Sequence, residues 1–437
     1  FVPPLAHSPT PVSRAAKHER SPWEKCDHST PRPLPHESMR DSPVMRMPEP
    51  IPASLVVHPK GPVDGTIRVP GSKSITNRAV LCATLSGGTS TLTGALQAED
   101  TEVMIQCLQR LGGSFAGEAD SLTVVGTGGR LRGPEGPLDV GASGTTARFL
   151  TAAATLADGP SVIDGTPRMR LRPIGELVAA LRAIGAGVEA LGGGDYPPVR
   201  VSGGGLPGGH AVIDARRSSQ FVSAVALAAP YADRAVSLDF LDGVLISRPY
   251  VESTAEVMKA FGAHIELTNT GLEVSPGGYQ PRSFHVEPDA SSAAYPLVAA
   301  AITGGTVRLP GFRGDSHQAD LGILGVLARM GCRVTWVDSG LSLEGPPEGL
   351  RGVDVDMGDM PDAVLAVAVA AAFASGSTRI TNVASLRIKE SDRLGALETE
   401  LRKLGAHAEA GSDWLTVRSR AVHGADIDTY DDHRMAM

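Results

Sequence analysis

From Leu55 onward the chain repeats itself at intervals of about 70 residues, and a period of that size implies a supersecondary unit copied along the chain. Each copy opens on a polar start and runs into an Ala-rich apolar stretch that reads as a buried helix. The starts are Ser72-Lys73-Ser74, Ala142-Ser143-Gly144-Thr145, Ser218-Ser219-Gln220, Asp289-Ala290-Ser291-Ser292, Met360-Pro361-Asp362 and Asp431-Asp432-His433-Arg434. A short β-branched run follows, then a second helix ending in glycine: Leu111-Gly112-Gly113, Ile184-Gly185-Ala186, Phe261-Gly262-Ala263, Met330-Gly331-Cys332 and Leu404-Gly405-Ala406. Glycine there supplies the left-handed stop that helix C-termini favour. Alternating sequence beyond each stop, such as His264-Ile265-Glu266-Leu267 and Leu272-Glu273-Val274, reads as a hairpin.

The fold class is therefore α/β, built from helix-strand-helix-strand-strand units. Five are complete, and the sixth breaks off at Met437 as its helix begins. Six units divide into two domains of three, each a ring of sheets around buried helices. The expected boundaries lie near Gly71 and Glu287: residues 55–71 plus 288–437 form one domain, and residues 72–287 the other. Residues 1–50, rich in Pro, His, Ser and Arg without apolar periodicity, are expected to be disordered. The chain opens on Phe1, and Met39, Met45 or Met47 is a candidate for the true start.

A chain of 437 residues with 42% hydrophobic content can bury two sizeable cores. Its net charge of −8 argues against nucleic acid or an anionic membrane as partner. The four cysteines, Cys26, Cys82, Cys107 and Cys332, show no metal-ligand spacing, which fits a reducing, cytoplasmic setting. The most apolar stretch, Ala363 to Ala374, is too short to span a bilayer.

Against that acidic background the cations gather at helix starts: Lys73, Arg78, Arg148, Arg168, Arg170, Arg172, Arg216, Arg217, Arg248, Lys389, Arg393 and Arg434. If the units converge, these residues form one positive cleft reinforced by helix dipoles, suited to small anions with several charges. The stretch from Pro70 to Arg78 is the densest case, with Ser72 or Ser74 available to cap the helix. Ordinary capping with solvated Lys and Arg accounts for it equally well. Single surface ion pairs are the expected fate of Arg170, Arg216 and Arg217. Asp362 is either a plain cap or a general base for a substrate hydroxyl. Glu390, beside Lys389, is either an acid/base group or part of an exposed helix pair. Asp431-Asp432-His433 is a weak metal motif for which capping is preferred. No phosphate-binding G-x-x-x-x-G-K-[ST] loop, H-E-x-x-H pair or nucleophile elbow is present in the sequence.

Taken together, Pro-Gly-Ser-Lys-Ser at 70–74 with Arg78, Gly144-Thr145 with Arg148, Arg172-Pro173, Ser218-Ser219-Gln220-Phe221, Ser247-Arg248-Pro249-Tyr250, Pro361-Asp362, Lys389-Glu390-Ser391-Asp392-Arg393 and Asp432 to Met437 resemble the 5-enolpyruvylshikimate-3-phosphate (EPSP) synthases over about residues 55–437. The resemblance implies a two-domain inside-out α/β barrel that closes on shikimate 3-phosphate and phosphoenolpyruvate without metal or organic cofactor, acting as a monomer. It implies Lys73, Ser74, Arg78, Ser218, Ser219, Ser247, Tyr250, Asp362, Ser385 and Lys389 as the shikimate 3-phosphate set. Lys73, Gly144, Arg172, Gln220, Arg393 and Arg434 form the phosphoenolpyruvate set, and Asp362, Glu390 and Lys73 the catalytic one.

Ser385 stands where the family often has an asparagine, and Phe149 where a proline is common. Gly144, rather than alanine, resembles the glyphosate-sensitive members. The family's last unit carries a further phosphoenolpyruvate-binding lysine beyond position 437, so residues 1–437 alone are expected to be inactive and unstable. Two rivals carry other predictions. A UDP-N-acetylglucosamine enolpyruvyl transferase would usually have a reactive cysteine within Gly159 to Arg172, where this chain has none. The other rival is a non-catalytic anion-binding protein: retention of both Asp362 and Glu390 counts against a pseudoenzyme, whereas the break at Met437 keeps an inactive fragment open. The reading requires Lys73, Arg172, Asp362 and Arg393 to face one gap.

Overall fold

The computed structural model describes residues 54–58, 61–118, 121–337 and 339–437; the expectations for residues 1–50 lie outside them. Two helices form in each repeat: α1 (Lys73–Leu85) and α2 (Glu99–Arg110), α3 (Gly144–Ala153) and α4 (Gly175–Ala183), α5 (Ser219–Ala228) and α6 (Arg248–Ala260), α7 (Ala290–Thr303) and α8 (Ile323–Arg329), α9 (Val364–Ala372) and α10 (Arg393–Lys403). The four-residue α11 (His433–Ala436) follows.

The first helix of each pair is buried nearly all round, as a helix with no polar face must be. In α3, α5 and α9 only Thr145, Gln220 and Val369 escape burial, whereas α1 leaves Lys73 and Ser74 part-exposed and α7 leaves one side from Ser292 to Thr303 part-exposed. Alanine at most turns lets these helices approach closely, and α3 packs on α5 while α7 packs on α9. The second helices end where glycine occurs, with φ of 105° at Gly112, 92° at Gly185, 87° at Gly262, 112° at Gly331 and 91° at Gly405.

Among the described residues there are five sheets of four strands each, one strand more than the unit read from the sequence. The additional strand precedes the first helix and pairs parallel, in three of the sheets with the strand that follows that helix. Gly209–Ala215 alongside Val236–Leu245 is an example. Two of these strands pair far from their sequence neighbours. Asp64–Thr66 joins Thr306–Pro310, and Ser283–His285 joins Thr89–Thr93.

Buried apolar side chains form two clusters, one from Ile75 to Val286 and one from Ala290 to Val417. The chain passes between them twice, and the two passages run side by side. Ser72 N–H donates to Glu287 O at 2.8 Å and Asp289 N–H to Pro70 O at 2.8 Å. Gly71 is required at this crossing, because a Cβ there would stand 1.8 Å from Gly94 O. Among the described residues no helix is long and apolar enough to cross a membrane.

Candidate active site

The buried helices deliver their N-termini to one cleft. Lys73 opens α1, with its Nζ 2.9 Å from Asp100 Oδ2 and 3.3 Å from His433 Nε2. Neither serine caps α1 through its side chain, contrary to expectation; Asp289 Oδ2 instead accepts from Lys73 N–H at 3.4 Å. Ser143 caps α3 through Thr146 N–H at 3.3 Å, and Ser218 caps α5 through Gln220 N–H at 3.2 Å. Arg78 is 3% exposed and largely committed to the protein. Its guanidinium donates to Thr254 Oγ1 at 2.7 Å, Ser74 O at 2.8 Å and Tyr250 O at 3.1 Å. Arg172 donates to Ala142 O at 3.0 Å and reaches Glu390 Oε1 at 3.4 Å. At the start of α6, Ser247 takes a left-handed conformation (φ 50°) and donates from Oγ to Gly358 O at 3.0 Å.

Across the cleft stands a lattice of ion pairs. Asp362 lies in the 3-10 turn Pro361–Ala363 before α9. Arg393 at 3.1 Å, Arg434 at 3.2 Å and Lys389 at 3.5 Å surround its carboxylate. Arg393, with a side chain only 1% exposed, also reaches Glu390 at 2.8 Å and Asp432 at 2.8 Å. Glu390 is not on a helix: it falls between the turn Ala384–Ile388 and α10, whose cap Asp392 accepts from Gly395 N–H. That removes the exposed helix-pair reading. Asp432 also caps α11, accepting from Arg434 N–H at 3.0 Å.

The lattice controls protonation. Burial pushes the Asp362 carboxyl up, but Arg434, Lys389, Arg393 and Lys73 together hold it well below the usual carboxylate range. For Glu390 burial is likewise outweighed, by Arg172, Arg393, Lys389 and Lys73, and its carboxyl also falls below that range. Burial lowers Lys389 in spite of Asp362. Burial also lowers His433, and Lys73 and Arg434 add to the effect.

Every residue that the sequence assigns to a substrate or to catalysis lines this one cleft, with Ser385 on its wall. Other cations from the sequence reading face elsewhere. Arg170 pairs with Asp164 at 2.5 Å, Arg216 with Asp214 at 2.6 Å and Arg248 with Glu252 at 2.8 Å. Arg217 does both, pairing with Glu176 at 3.1 Å while sitting on the cleft wall. Arg168 acts on backbone, donating to Lys389 O at 2.8 Å and Glu390 O at 3.0 Å. Asp100 escaped the sequence reading, and His433 entered it only within the Asp431-Asp432-His433 motif, not as a neighbour of Lys73. Asp100 looks like one more acidic residue in the first turn of a helix, complementing its dipole.

Two cores of α/β repeats with helix starts, hydroxyls and eight cationic side chains (Lys73, Arg78, Arg148, Arg172, Arg217, Lys389, Arg393 and Arg434) around paired carboxylates define an enzyme of small polyanions. The sequence model of EPSP synthase (3-phosphoshikimate 1-carboxyvinyltransferase) matches residues 57–437, and the chain belongs to that family. A 3-phosphoshikimate 1-carboxyvinyltransferase of Aliivibrio fischeri (strain MJ11) is 44% identical over 392 residues, covering 88% of this chain and 91% of the relative. One from Marinomonas sp. (strain MWYL1) is 43% identical over 390 residues, with the same coverage. The solved EPSP synthase of Acinetobacter baumannii is similar at a TM-score of 0.73 and 26% identity, covering 86% of this chain and 88% of that one. The fold is thus the two-domain inside-out α/β architecture of the family.

Proposed function

We propose that this cleft transfers the enolpyruvyl group of phosphoenolpyruvate to the 5-hydroxyl of shikimate 3-phosphate, releasing phosphate. The observation that carries the reading is the meeting of Lys73, Arg172, Asp362, Glu390 and Arg393 in one cleft. Ser74, Arg78, Ser218, Ser219, Ser247, Tyr250, Asp362, Ser385 and Lys389 hold shikimate 3-phosphate; Gly144, Arg172, Gln220, Arg393 and Arg434 hold phosphoenolpyruvate; Lys73 touches both. Asp362 takes the proton of the 5-hydroxyl as its oxygen bonds to C2 of phosphoenolpyruvate. Glu390, with Lys73, gives a proton to the C3 methylene. The tetrahedral adduct then loses a C3 proton and its C–O bond to phosphate breaks, restoring the enol ether.

The ion pairs explain how one pair of carboxylates can serve both steps. In the free enzyme both are held ionised, too weakly basic for efficient proton transfer. Substrate phosphates and carboxylates neutralise the surrounding cations, which raises both carboxyls toward the working pH. The arginines and helix dipoles let two polyanions approach each other.

The domain boundaries fall at Gly71 and Glu287, so the paired passages form the hinge about which the cleft closes and excludes water. The working unit is a monomer, in keeping with a cleft both of whose walls come from one chain. Its setting is the cytoplasm, in keeping with the free, buried Cys82, Cys107 and Cys332.

The test is phosphate release by the complete gene product from shikimate 3-phosphate plus phosphoenolpyruvate, with UDP-N-acetylglucosamine as the control acceptor. Turnover with the first acceptor alone is expected. Glu390→Gln should lower kcat by roughly 10²- to 10³-fold. An acceptor preference for the nucleotide sugar, or unchanged kcat in the variant, would refute the assignment.

A further inference from the structure

Behind the cleft wall lies a carboxylate that the proposed chemistry leaves unused. Asp320, in the 3-10 turn Ala319–Gly322 ahead of α8, is 3% exposed. Its Oδ2 accepts from the Tyr250 hydroxyl at 3.2 Å and from the Ser291 hydroxyl. Its Oδ1 is buried with no hydrogen-bond partner. Burial, reinforced by Asp362 and Asp289, pushes the carboxyl up to about 6 against the pull of Arg434 and Ser291. A buried acid with one orphaned oxygen is a costly group to retain for packing alone.

What it holds is informative. Tyr250 belongs to α6 on one side of the cleft, whereas Asp320 and Ser291 belong to the other. The same turn of α6 makes a second bond across, from Ser247 Oγ to Gly358 O. With its proton given to Asp320, the Tyr250 hydroxyl offers lone pairs to the cleft, and the ring is fixed in azimuth.

We infer that Asp320 is a positioning residue for the ring acid, acting through Tyr250: it sets the phenol from the opposite half, so the Tyr250 grip forms only when both halves meet. This inference rests on the placement of Tyr250 in the shikimate 3-phosphate subsite. Asp320→Ala should raise KM for shikimate 3-phosphate about tenfold, the cost of one hydrogen bond, and leave KM for phosphoenolpyruvate and kcat within about twofold. Asp320→Asn, whose amide oxygen still accepts from the phenol, should recover most of that loss. Tyr250→Phe should match Asp320→Ala, and the double variant should be no worse than either alone.

Equal rises in both KM values, or multiplied effects in the double variant, would overturn the inference. A normal KM for shikimate 3-phosphate in Tyr250→Phe removes the Tyr250 placement and the inference with it; a raised value there beside a normal one in Asp320→Ala removes the inference alone. Should Asp320→Ala fail to fold, Ser291→Ala takes its place. It should raise the same KM about two- to threefold, and no change would be fatal.

Discussion

The two walls of the cleft hold anions by different means. The wall from residues 72–287 offers hydroxyls and arginines whose partners are mostly backbone carbonyls, as in Arg78 and Arg172. The wall from residues 288–437 is neutralised largely within itself: Asp362, Glu390 and Asp432 are shared among Lys389, Arg393 and Arg434, with Arg172 reaching Glu390 from the first wall. The first can add an anion to donors already in position. The second must exchange protein carboxylates for substrate oxygens, and that exchange couples ligand binding to the protonation of Asp362 and Glu390.

If this contrast is real, the largest effect belongs to the second wall. Arg393→Ala takes a guanidinium from Asp362 and Glu390 and leaves the buried Asp432 without its arginine, and should cost about 3–5 kcal/mol in urea denaturation, whereas Arg172→Ala should cost about 1 kcal/mol and chiefly raise KM for phosphoenolpyruvate. Equal losses would erase the distinction.

Acid should next separate the walls. Asp362, Glu390 and Asp432 are depressed in the folded state from ordinary values of 3.8, 4.5 and 3.8. Their stabilisation is therefore present above those values and is lost as pH falls below about 4.5 toward the lower folded values. Urea midpoints measured from pH 7 to pH 3 should drop in that window, and less steeply in Asp432→Asn. A midpoint indifferent to acid would show that the lattice contributes nothing to folding.

The smallest effect should come from Gly144. A Cβ there would stand 2.5 Å from Arg172 Nη2 and 2.7 Å from its Cζ, so alanine must displace the guanidinium. Gly144→Ala should raise KM for phosphoenolpyruvate by on the order of tenfold with unchanged stability, sharpening the view that the first wall works by position. An inhibitor titration of the parent chain should show glyphosate sensitivity, and millimolar tolerance would contradict that reading.

The helices and their ends were legible locally. Polar starts, alanine runs and terminal glycines act over one or two turns; the charges at those starts pointed to a cationic cleft, and the resemblance to the EPSP synthases named its residues. The leading strands were not legible. Asp64–Thr66 and Leu138–Asp139 are too short to show an alternation, and Ser283–His285 finds its partner about 190 residues away at Thr91 to Thr93.

The same distance problem governs the side chains. The sequence by itself determined that Lys73, Asp362, Glu390 and Arg393 sit at helix starts or in the loops before them. Only the tertiary structure decided that Asp100 faces Lys73, that Asp320 accepts a hydrogen bond from the Tyr250 hydroxyl, and that Arg78 spends most of its donors on carbonyls. An acid's role depends on which charges and donors lie within a few ångströms, and here those neighbours come from 27 to 360 positions along the chain.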